Sequence, residues 1–500
     1  MPSIEQARRE VERCFRAAVR TAERTGAAGS AGEVEHALWA NLLSLGAALM
    51  TLFFALRMGR CWEQGSRYWR GGREYEVVGW HNHAIGTRFG KVELKQPIGR
   101  VVGASRAARD LPAQRELGLL SGFTLPVVAT MARLCAQMAF EPARELFEHT
   151  WRWRPSPRAV LRMVDALGSR ARQFLEQARA PAGDGKVLVI SVDGKGAPAI
   201  SSKEHARRSR PRAKRKDNGR HHRRGKRKAR PRVRRGPGKK SKNAKMAAVG
   251  VLYTLKRDDN GKLDGPINKR VYATFEGHRA LFQWLSAQAR KRGYGTEKFD
   301  KVLFVADGAR VIWTLQQEFF PDAETCLDFW HAVEKLWAAG KAVCRGTRRK
   351  RKELEAWVAQ QKKRLRQGQL SQVLDELRQH LKATAQTGPG NKYRREVLAS
   401  VLGHFEHNAR RMRYARLRRM DLDIASGVIE GAVRHLVGVR LDGPGMRWSR
   451  DRAEAVLHLR CVLINGMWGD FERYLALRRL KLAPQPVPTR THDAVPHKAA

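Results

Sequence analysis

Lys186-Val-Leu-Val-Ile-Ser-Val-Asp193-Gly194 is an apolar run that ends in an aspartate followed by a glycine, and Lys301-Val-Leu-Phe-Val-Ala-Asp307-Gly308 repeats the pattern. An apolar run of this length between polar residues predicts a buried strand. Each aspartate then lies at a strand's carboxyl end, where open α/β sheets bind ligands. Two such ends in neighbouring strands bring two carboxylates to one site, which favours a hard cation. The sequence therefore predicts a magnesium-dependent active site, although a single Asp-Gly pair is more often only a turn.

The charge of the chain indicates a polyanionic partner. Its 500 residues include 98 Lys and Arg against 48 Asp and Glu, a net charge of +50. Such a surplus favours nucleic acid through counterion release; ribosome association and binding to an anionic membrane are the alternatives. Residues 203–245 alone hold 22 Lys or Arg against Glu204 and Asp217 and almost nothing apolar. We predict that this basic insertion is disordered when alone.

The cysteines and the apolar segments indicate in which cellular compartment the protein works. The six cysteines, at positions 14, 61, 135, 326, 344 and 461, form no C-x-x-C pair, which favours a reducing compartment over a disulfide framework or a structural zinc site. The first ten residues lack the apolar core of a signal peptide. Residues 37–56 are long and apolar enough to span a membrane. Because this segment stands alone in a basic chain, we expect instead a helix buried in a dimer or domain interface, and no membrane partner.

Changes in composition and in the spacing of apolar residues along the chain predict seven regions. Residues 186–330 have the order β-β-β-α-β-α-β, typical of a mixed sheet covered by helices. The predicted regions are a helical region (1–60), a small β-rich region (61–108), a second helical region (109–183), the first part of the α/β core (184–330), an all-helical insertion (331–422), the second part of the core (423–480) and a disordered tail (481–500).

Within 109–183, residues 141–149 and 157–167 read as two helices joined by a short turn. Ser156 suits an N-cap and Pro157 the first helical position. The turn Trp151-Arg-Trp-Arg154 mixes aromatic and cationic side chains. A DNA-reading helix-turn-helix and an ordinary helical hairpin that packs its own core are both consistent with this pattern.

A two-metal site needs a third carboxylate, because two divalent ions carry more charge than two aspartates neutralise. The best candidate is Glu430, in a helix-forming segment over 425–437. It adjoins an apolar stripe formed by Ile429, Val433, Leu436 and Val437. The alternative is an ordinary surface ion pair of Glu430 with Arg434, four residues further on.

Four blocks of the sequence together resemble bacterial DDE transposases, and most closely the ISKra family of insertion sequences, with a more distant similarity to the Mutator-like group. The similarity covers roughly residues 110 to 470, and the last block is its most specific part. The blocks are Val192-Asp-Gly-Lys-Gly196, Val305-Ala-Asp-Gly308, Asp328-Phe-Trp-His331 and the long segment from Ser426-Gly-Val-Ile-Glu430 through Arg440-Leu-Asp-Gly-Pro-Gly-Met-Arg-Trp448.

This resemblance implies a ribonuclease-H-like core interrupted by a helical insertion before the glutamate. It makes Asp193, Asp307 and Glu430 the catalytic and metal-binding triad, which would hold Mg²⁺ or Mn²⁺, as two ions. Asp328 and His331 match a short Asp-x-x-His element that in the relatives is associated with the active site and strand handling. An aspartate and a histidine at this spacing also form ordinary capping contacts.

The implied partners are double-stranded DNA, both at the ends of the element and in the target, and further copies of the chain in a homodimer or higher oligomer. The implied location is the bacterial cytoplasm, at the nucleoid. Candidate strand-holding residues are Lys195, which follows the first aspartate, and the loop residues Arg440, Arg447 and Trp448. Arginine binds phosphate and tryptophan stacks on an unpaired base.

The sequence also departs from the family. Many relatives carry paired cysteines near the amino terminus, whereas Cys61 stands alone here, so a metal-dependent end-recognition domain is not expected. Two alternatives to a transposase stay open. One is a structure-selective nuclease on the same fold without strand transfer, and the other is a non-catalytic nucleic-acid-binding protein.

Overall fold

Two compact units make up the chain, residues 1–170 with 467–500 and residues 171–466. In the computed structural model, the described residues are 2–25, 29–103, 109–200, 206–207, 244–344, 351–425, 427–443 and 446–480. The predicted disordered insertion over 203–245 and the predicted disordered tail over 481–500 therefore lie outside the described residues, apart from 206–207 and 244–245.

The first unit opens with two long helices and a small sheet. Helix α2 starts at a capping box, in which Ser30 and Glu33 satisfy each other's backbone N–H groups. Its inner face packs through Phe54 and Met58 on the sheet residues Ile85 and Val92. These elements are α1 (Ile4–Thr25), α2 (Ala31–Cys61) and the antiparallel strands β1 (Arg67–Arg70), β2 (Arg73–Thr87) and β3 (Gly90–Val101).

Helix α2 is also the one helix, over the described part of the chain, that is long and apolar enough to cross a membrane. The segment that meets this criterion, Ala31–Met58, is 28 residues long, and only 22% of its most apolar window is buried. One such helix is weak evidence for a membrane, because a core or interface helix of a soluble protein meets the same criterion.

Four helices complete the amino-terminal part, and the turn between the last two packs inward. The Trp153 ring lies against Phe147, edge to face at 5.4 Å between ring centroids, and the buried Arg144 donates from Nε to the Pro155 carbonyl at 2.9 Å. An ordinary helical hairpin and a DNA-reading turn can both pack in this way, so both alternatives stay predictions. The helices are α3 (Pro112–Glu116), α4 (Leu125–Gln137), α5 (Phe140–Trp151) and α6 (Pro157–Gln177), the last of which runs into the second unit.

The second unit is built on a mixed sheet with the strand order β6-β5-β4-β7-β8. β5 is antiparallel to both of its neighbours, whereas β7 and β8 run parallel to β4. The predicted mixed α/β core with the order β-β-β-α-β-α-β is confirmed. The elements are β4 (Val187–Ile200), β5 (Ala244–Arg257), β6 (Leu263–Thr274), α7 (His278–Arg292), β7 (Lys301–Ala306), α8 (Arg310–Phe319) and β8 (Glu324–Leu327).

The two apolar runs form strands whose apolar side chains are buried in the unit. In β4 the six residues from Val187 to Val192 are all buried, as expected for a strand inside a helix-covered sheet. In β7 the buried Phe304 ring contacts Phe282 of α7 at 5.7 Å and Trp313 of α8 at 5.8 Å. The helices that connect the strands thus cover one face of the sheet.

A helical region follows β8, and the chain then returns to the sheet. The stripe predicted beside Glu430 is buried, with exposures of 8% or less. A short π-helix over Arg434–Gly438 interrupts the helix that carries Glu430, and Arg460 donates from Nε to the Leu436 carbonyl inside it at 3.1 Å.

The helices after β8 are α9 (Phe329–Val343), α10 (Arg351–Arg366), α11 (Leu370–Ala383), α12 (Asn391–Asn408) and α13 (Tyr414–Arg419). The returning segment forms α14 (Gly427–Val433), α15 (Val439–Leu441), β9 (Trp448–Ser449), which pairs with β4, and α16 (Arg450–Ile464). The last helix, α17 (Trp468–Leu480), groups with the first unit rather than with the Glu430 region.

Candidate active site at the strand ends

Three aspartates lie at the same edge of the mixed sheet. The parallel register pairs Val192 of β4 with Ala306 of β7, so Asp193 and Asp307 come next on adjacent strands. The register of β7 with β8 continues the row, because Ala306 pairs with Leu327 and the Asp328 N–H donates to the Ala306 carbonyl at 2.8 Å. The structure therefore brings together the two aspartates predicted from the repeated pattern and adds a third beside them. The prediction that each aspartate ends its strand is confirmed for Asp307 and wrong for Asp193, because β4 continues past it to Ile200 in its pairing with β5.

Asp193 and Asp307 each use a carboxylate oxygen to accept from a backbone N–H close by in the chain. Asp193 Oδ1 accepts from the Gly194 N–H at 2.6 Å, and Asp307 Oδ1 accepts from the Ala309 N–H at 2.9 Å. Both side chains are half-buried rather than sealed in the core. The two carboxylates are therefore fixed in direction and remain partly open to solvent.

Negative charge is concentrated at this edge of the sheet. Burial raises the pKa of Asp193, and the neighbouring carboxylates of Asp307 and Asp328 raise it further. The Gly194 N–H and the His331 ring act in the opposite direction. Carboxylates that disfavour one another's charge in this way are a setting in which a bound cation is stabilised.

Asp328 is almost fully buried and bonded on both oxygens. Its Oδ1 accepts from the Trp330 N–H at 3.2 Å and so caps α9, while its Oδ2 accepts from His331 Nδ1 at 2.5 Å. The hydrogen bond to Asp328 raises the pKa of His331 to about 9. The Asp-x-x-His element therefore forms the capping contact that the spacing allows, and it also places a protonated imidazole near Asp193.

The His331 contact predicts a specific pH dependence of stability. Because the pKa of His331 is higher in the folded chain than its ordinary value of 6.5, the stabilisation is fully present below about pH 6.5 and is lost as the pH rises through about 9. We expect His331→Gln to lower the free energy of unfolding in urea at pH 6.5 and to change it much less above pH 9. An equal deficit at both pH values would contradict the charged pairing.

Two further histidines, His278 and His404, lie at this edge. Burial lowers the pKa of His278, at the start of α7, and the charge of Asp307 opposes that shift. Burial likewise lowers the pKa of His404 on α12, as does Lys335, and Asp307 again opposes the shift. No motif in the sequence marked either residue, because each reaches Asp307 from a helix far away along the chain. The helical insertion thus contributes to the surroundings of the strand ends.

Gly308, which follows Asp307 at the end of β7, lies against His404 of the helical insertion. A Cβ at position 308 would overlap the imidazole of His404. We expect Gly308→Ala to destabilise the chain by about 1–3 kcal/mol in urea unfolding through overpacking. His404→Ala in the same chain should restore part of that loss. Gly403→Ala on the same helix is the matched control, because nothing lies within 4 Å of the Cβ it would add. If the double variant were no more stable than Gly308→Ala, the contact would not be the cause.

Glu430 stands apart from the aspartates in its environment. It lies on α14, which packs on β4 and β5, but its side chain is exposed. Among the residues that the structure describes, Glu430 forms no ion pair, so the surface pairing with Arg434 that its spacing allows is not made. Its assignment as the third member of the triad stays a prediction.

The predicted strand-holding residues fall into two groups. Lys195 lies on the same face of β4 as Asp193, two residues away, with its Nζ 3.8 Å from Asp442 Oδ2, and Arg447 is exposed. Arg440 and Trp448 are buried, and the Arg440 guanidinium stacks over the Trp448 ring at 4.8 Å. Lys195 and Arg447 are therefore accessible to a strand, whereas Arg440, Trp448 and the buried Asp328 would first have to become exposed.

Over the described ranges, no three His, Cys, Asp or Glu side chains are grouped closely enough to hold a metal ion together. The site that the structure presents is thus a pair of half-buried aspartates with a third, internally bonded aspartate and three histidines around them. The sequence matches no family model, and no curated protein matches it.

Proposed function

We propose that the protein is a DDE transposase that cleaves DNA at the ends of an insertion sequence and joins them to target DNA. The observation that carries this proposal is the register of β4 with β7, which sets Asp193 and Asp307 side by side at the carboxyl edge of the sheet. Paired carboxylates on adjacent strands suit phosphoryl transfer assisted by divalent metal ions.

The sheet supports a ribonuclease-H-like core. Three antiparallel strands, β6, β5 and β4, continue into two parallel ones, β7 and β8. A helical region separates β8 from Glu430, and α14 then returns to pack on β4 and β5. This arrangement agrees with the interrupted core that the resemblance implies.

The donor chemistry fits Mg²⁺ or Mn²⁺. Asp193 and Asp307 offer hard oxygen ligands. The pKa of Asp193 is raised first by burial and then by repulsion from Asp307 and Asp328, which a cation would relieve. In the proposal Asp193 and Asp307 hold the ions, two in number, with Glu430 as the third ligand. Ions held there would supply activation of the attacking oxygen and stabilisation of the leaving oxygen of the phosphodiester.

The other residues position the substrate and balance charge. Protonated His331 offsets part of the negative charge beside Asp193. Lys195, on the face of β4 that carries Asp193, is placed to contact a phosphate. Water attacks the phosphodiester at the element end and breaks its P–O3′ bond, which leaves a 5′-phosphate on one side and frees a 3′-hydroxyl on the other. That hydroxyl then attacks a target phosphodiester, forms the new P–O bond and displaces the target's own 3′-hydroxyl. Neither step requires a side-chain nucleophile.

Duplex DNA is the proposed partner and the nucleoid the proposed location. The net charge of +50 supplies affinity for phosphate that does not depend on sequence. Two fifths of that charge lie in residues 203–245, between β4 and β5, so the largest block of charge joins the strand that carries Asp193 to its neighbour.

A second function has one observation in its favour. Among the described residues, no third carboxylate completes a metal-binding group with Asp193 and Asp307. A protein that binds DNA through its basic surface without cleaving it would show the same arrangement. Catalysis and binding therefore have to be measured separately.

The proposal is tested by strand transfer. The purified chain is incubated with Mg²⁺, a labelled duplex that carries the inverted repeats flanking its coding region, and a supercoiled target plasmid. We expect labelled DNA to become joined to the plasmid. Cleavage without joining would identify a nuclease, and binding without either reaction would identify the non-catalytic alternative.

A further inference from the structure

Six leucines form a single stripe along α2. Their spacing alternates between four and three residues, which averages the 3.5-residue repeat of a coiled-coil seam. At 1.5 Å per residue the stripe runs for about 27 Å. The leucines, called here the leucine seam, are Leu38, Leu42, Leu45, Leu49, Leu52 and Leu56.

The chain leaves this seam open. Leu42 is 51% exposed and Leu49 is 48% exposed, and the other four leucines are only partly buried. The sheet packs on a different face of the helix, where Phe54 and Met58 are buried. Monomeric proteins rarely leave a continuous apolar stripe of this length in water.

A second copy of the chain fits the seam better than a lipid bilayer does. α2 is apolar all round between residues 37 and 56, but α1 and the small sheet cover much of its surface, so only part of the helix is open to a bilayer. The side of α2 that carries Asn41 is held by α1, through a 2.8 Å hydrogen bond from Asn41 Nδ2 to Thr21 Oγ1. α1 in turn carries exposed ion pairs such as Arg13–Glu10, which a bilayer would have to desolvate.

The residues that flank the seam also suit self-association of a highly basic chain. In heptad terms the flanking positions are 39, 46 and 53 on one side and 41, 48 and 55 on the other, and none of them carries a charge. Helix α2 itself therefore places no like charges opposite each other when two copies meet along the seam. The same stripe on each copy gives the self-complementary contact that a two-fold interface requires.

We propose that the leucine seam of α2 is a dimer interface that pairs with the seam of a second copy of this chain. Dimerisation through it needs no DNA and does not depend on the catalytic proposal. Because the contact is apolar, high salt should not weaken it, whereas salt removes bound nucleic acid.

The test is the solution mass measured by light scattering in high salt, free of nucleic acid. We expect twice the mass of one 56.6 kDa chain. Leu42→Gln together with Leu49→Gln should raise the dimer dissociation constant about a hundredfold, because the two changes remove four apolar side chains from each interface. Leu146→Gln on α5 is the matched control, because Leu146 is similarly exposed at 43% and lies outside the seam.

A single-chain mass for the unaltered protein, or an unchanged dimer in the double variant, would overturn the proposal. Flotation of the unaltered protein with neutral phosphatidylcholine vesicles, together with a single-chain mass, would identify a lipid surface as the occupant instead. If circular dichroism shows that the double variant does not fold, the interface is tested with Leu49→Cys instead. Oxidation should then link two copies in that variant but not in the parent chain, and the absence of this link would count against the seam.

Discussion

Asp307→Asn is expected to lower the rate of magnesium-dependent DNA cleavage on the order of a thousandfold, since metal-assisted charge stabilisation is worth several kcal/mol. The substitution keeps the shape of the side chain and its capacity to accept from the Ala309 N–H, but it removes the negative charge beside Asp193. DNA affinity should hardly change, because it depends on the many basic residues elsewhere. Single-turnover cleavage and filter binding of the same labelled duplex measure the two quantities separately.

Asp300→Asn is the matched control for this prediction. Asp300 immediately precedes β7, so it lies at the opposite end of the strand from Asp307 and is exposed. This variant should cleave like the unaltered chain. Asp193→Asn should repeat the loss seen for Asp307→Asn. Cleavage that survives either aspartate substitution would remove the strand-end pair from the active site.

Glu430→Gln separates the third member of the triad from the first two. The side chain is exposed, so its replacement should leave the fold unchanged. A loss as large as that of the aspartate variants would place Glu430 in the reaction. Full activity of this variant, alongside inactive aspartate variants, would show that the third carboxylate lies elsewhere.

The second large effect is expected from the basic insertion. Replacing residues 203–243 by a short turn should lower DNA affinity at physiological salt at least about a hundredfold and similarly for every DNA sequence, because the segment supplies phosphate contacts. The salt slope of binding should flatten by about 0.9 for each phosphate that the shortened chain no longer neutralises. The sheet should tolerate the change, since β4 and β5 are antiparallel neighbours and Pro198 already pairs with Ala244.

A chain in which this segment is replaced by an uncharged Gly/Ser sequence of equal length distinguishes charge from length. It should bind as weakly as the shortened chain. If either variant lost affinity only for particular DNA sequences, the insertion would be a sequence reader instead of a phosphate binder. Fluorescence anisotropy with several unrelated duplexes at several salt concentrations measures both effects.

The core strands and their order could be predicted from sequence because each carries its own pattern. An apolar run such as 187–192 indicates a buried strand, so the amino-acid sequence alone places Asp193 and Asp307 directly after the paired runs of β4 and β7. The sequence did not show that β4 continues past Asp193 to Ile200, because that extension depends on pairing with β5. The buried stripe beside Glu430 was predictable for a similar reason, since its helical spacing is local.

Other parts of the site depend on contacts that are distant along the chain. His404 reaches Gly308 only because α12 of the helical insertion packs over the strand end, and His278 reaches Asp307 from the start of α7. Burial of Arg440 and Trp448 against each other likewise depends on how the loop folds back. Tertiary packing determines where these side chains lie, and local sequence patterns do not predict it.

The central claim is that Asp193 and Asp307 form one metal-dependent centre, and the most direct test is a titration with Mn²⁺ followed by electron paramagnetic resonance. The unaltered chain and Asp300→Asn should bind Mn²⁺ alike, and Mg²⁺ should compete for the same sites. Asp307→Asn should lose this binding. Equal Mn²⁺ binding by Asp307→Asn and the unaltered chain, or no binding by either, would contradict the account.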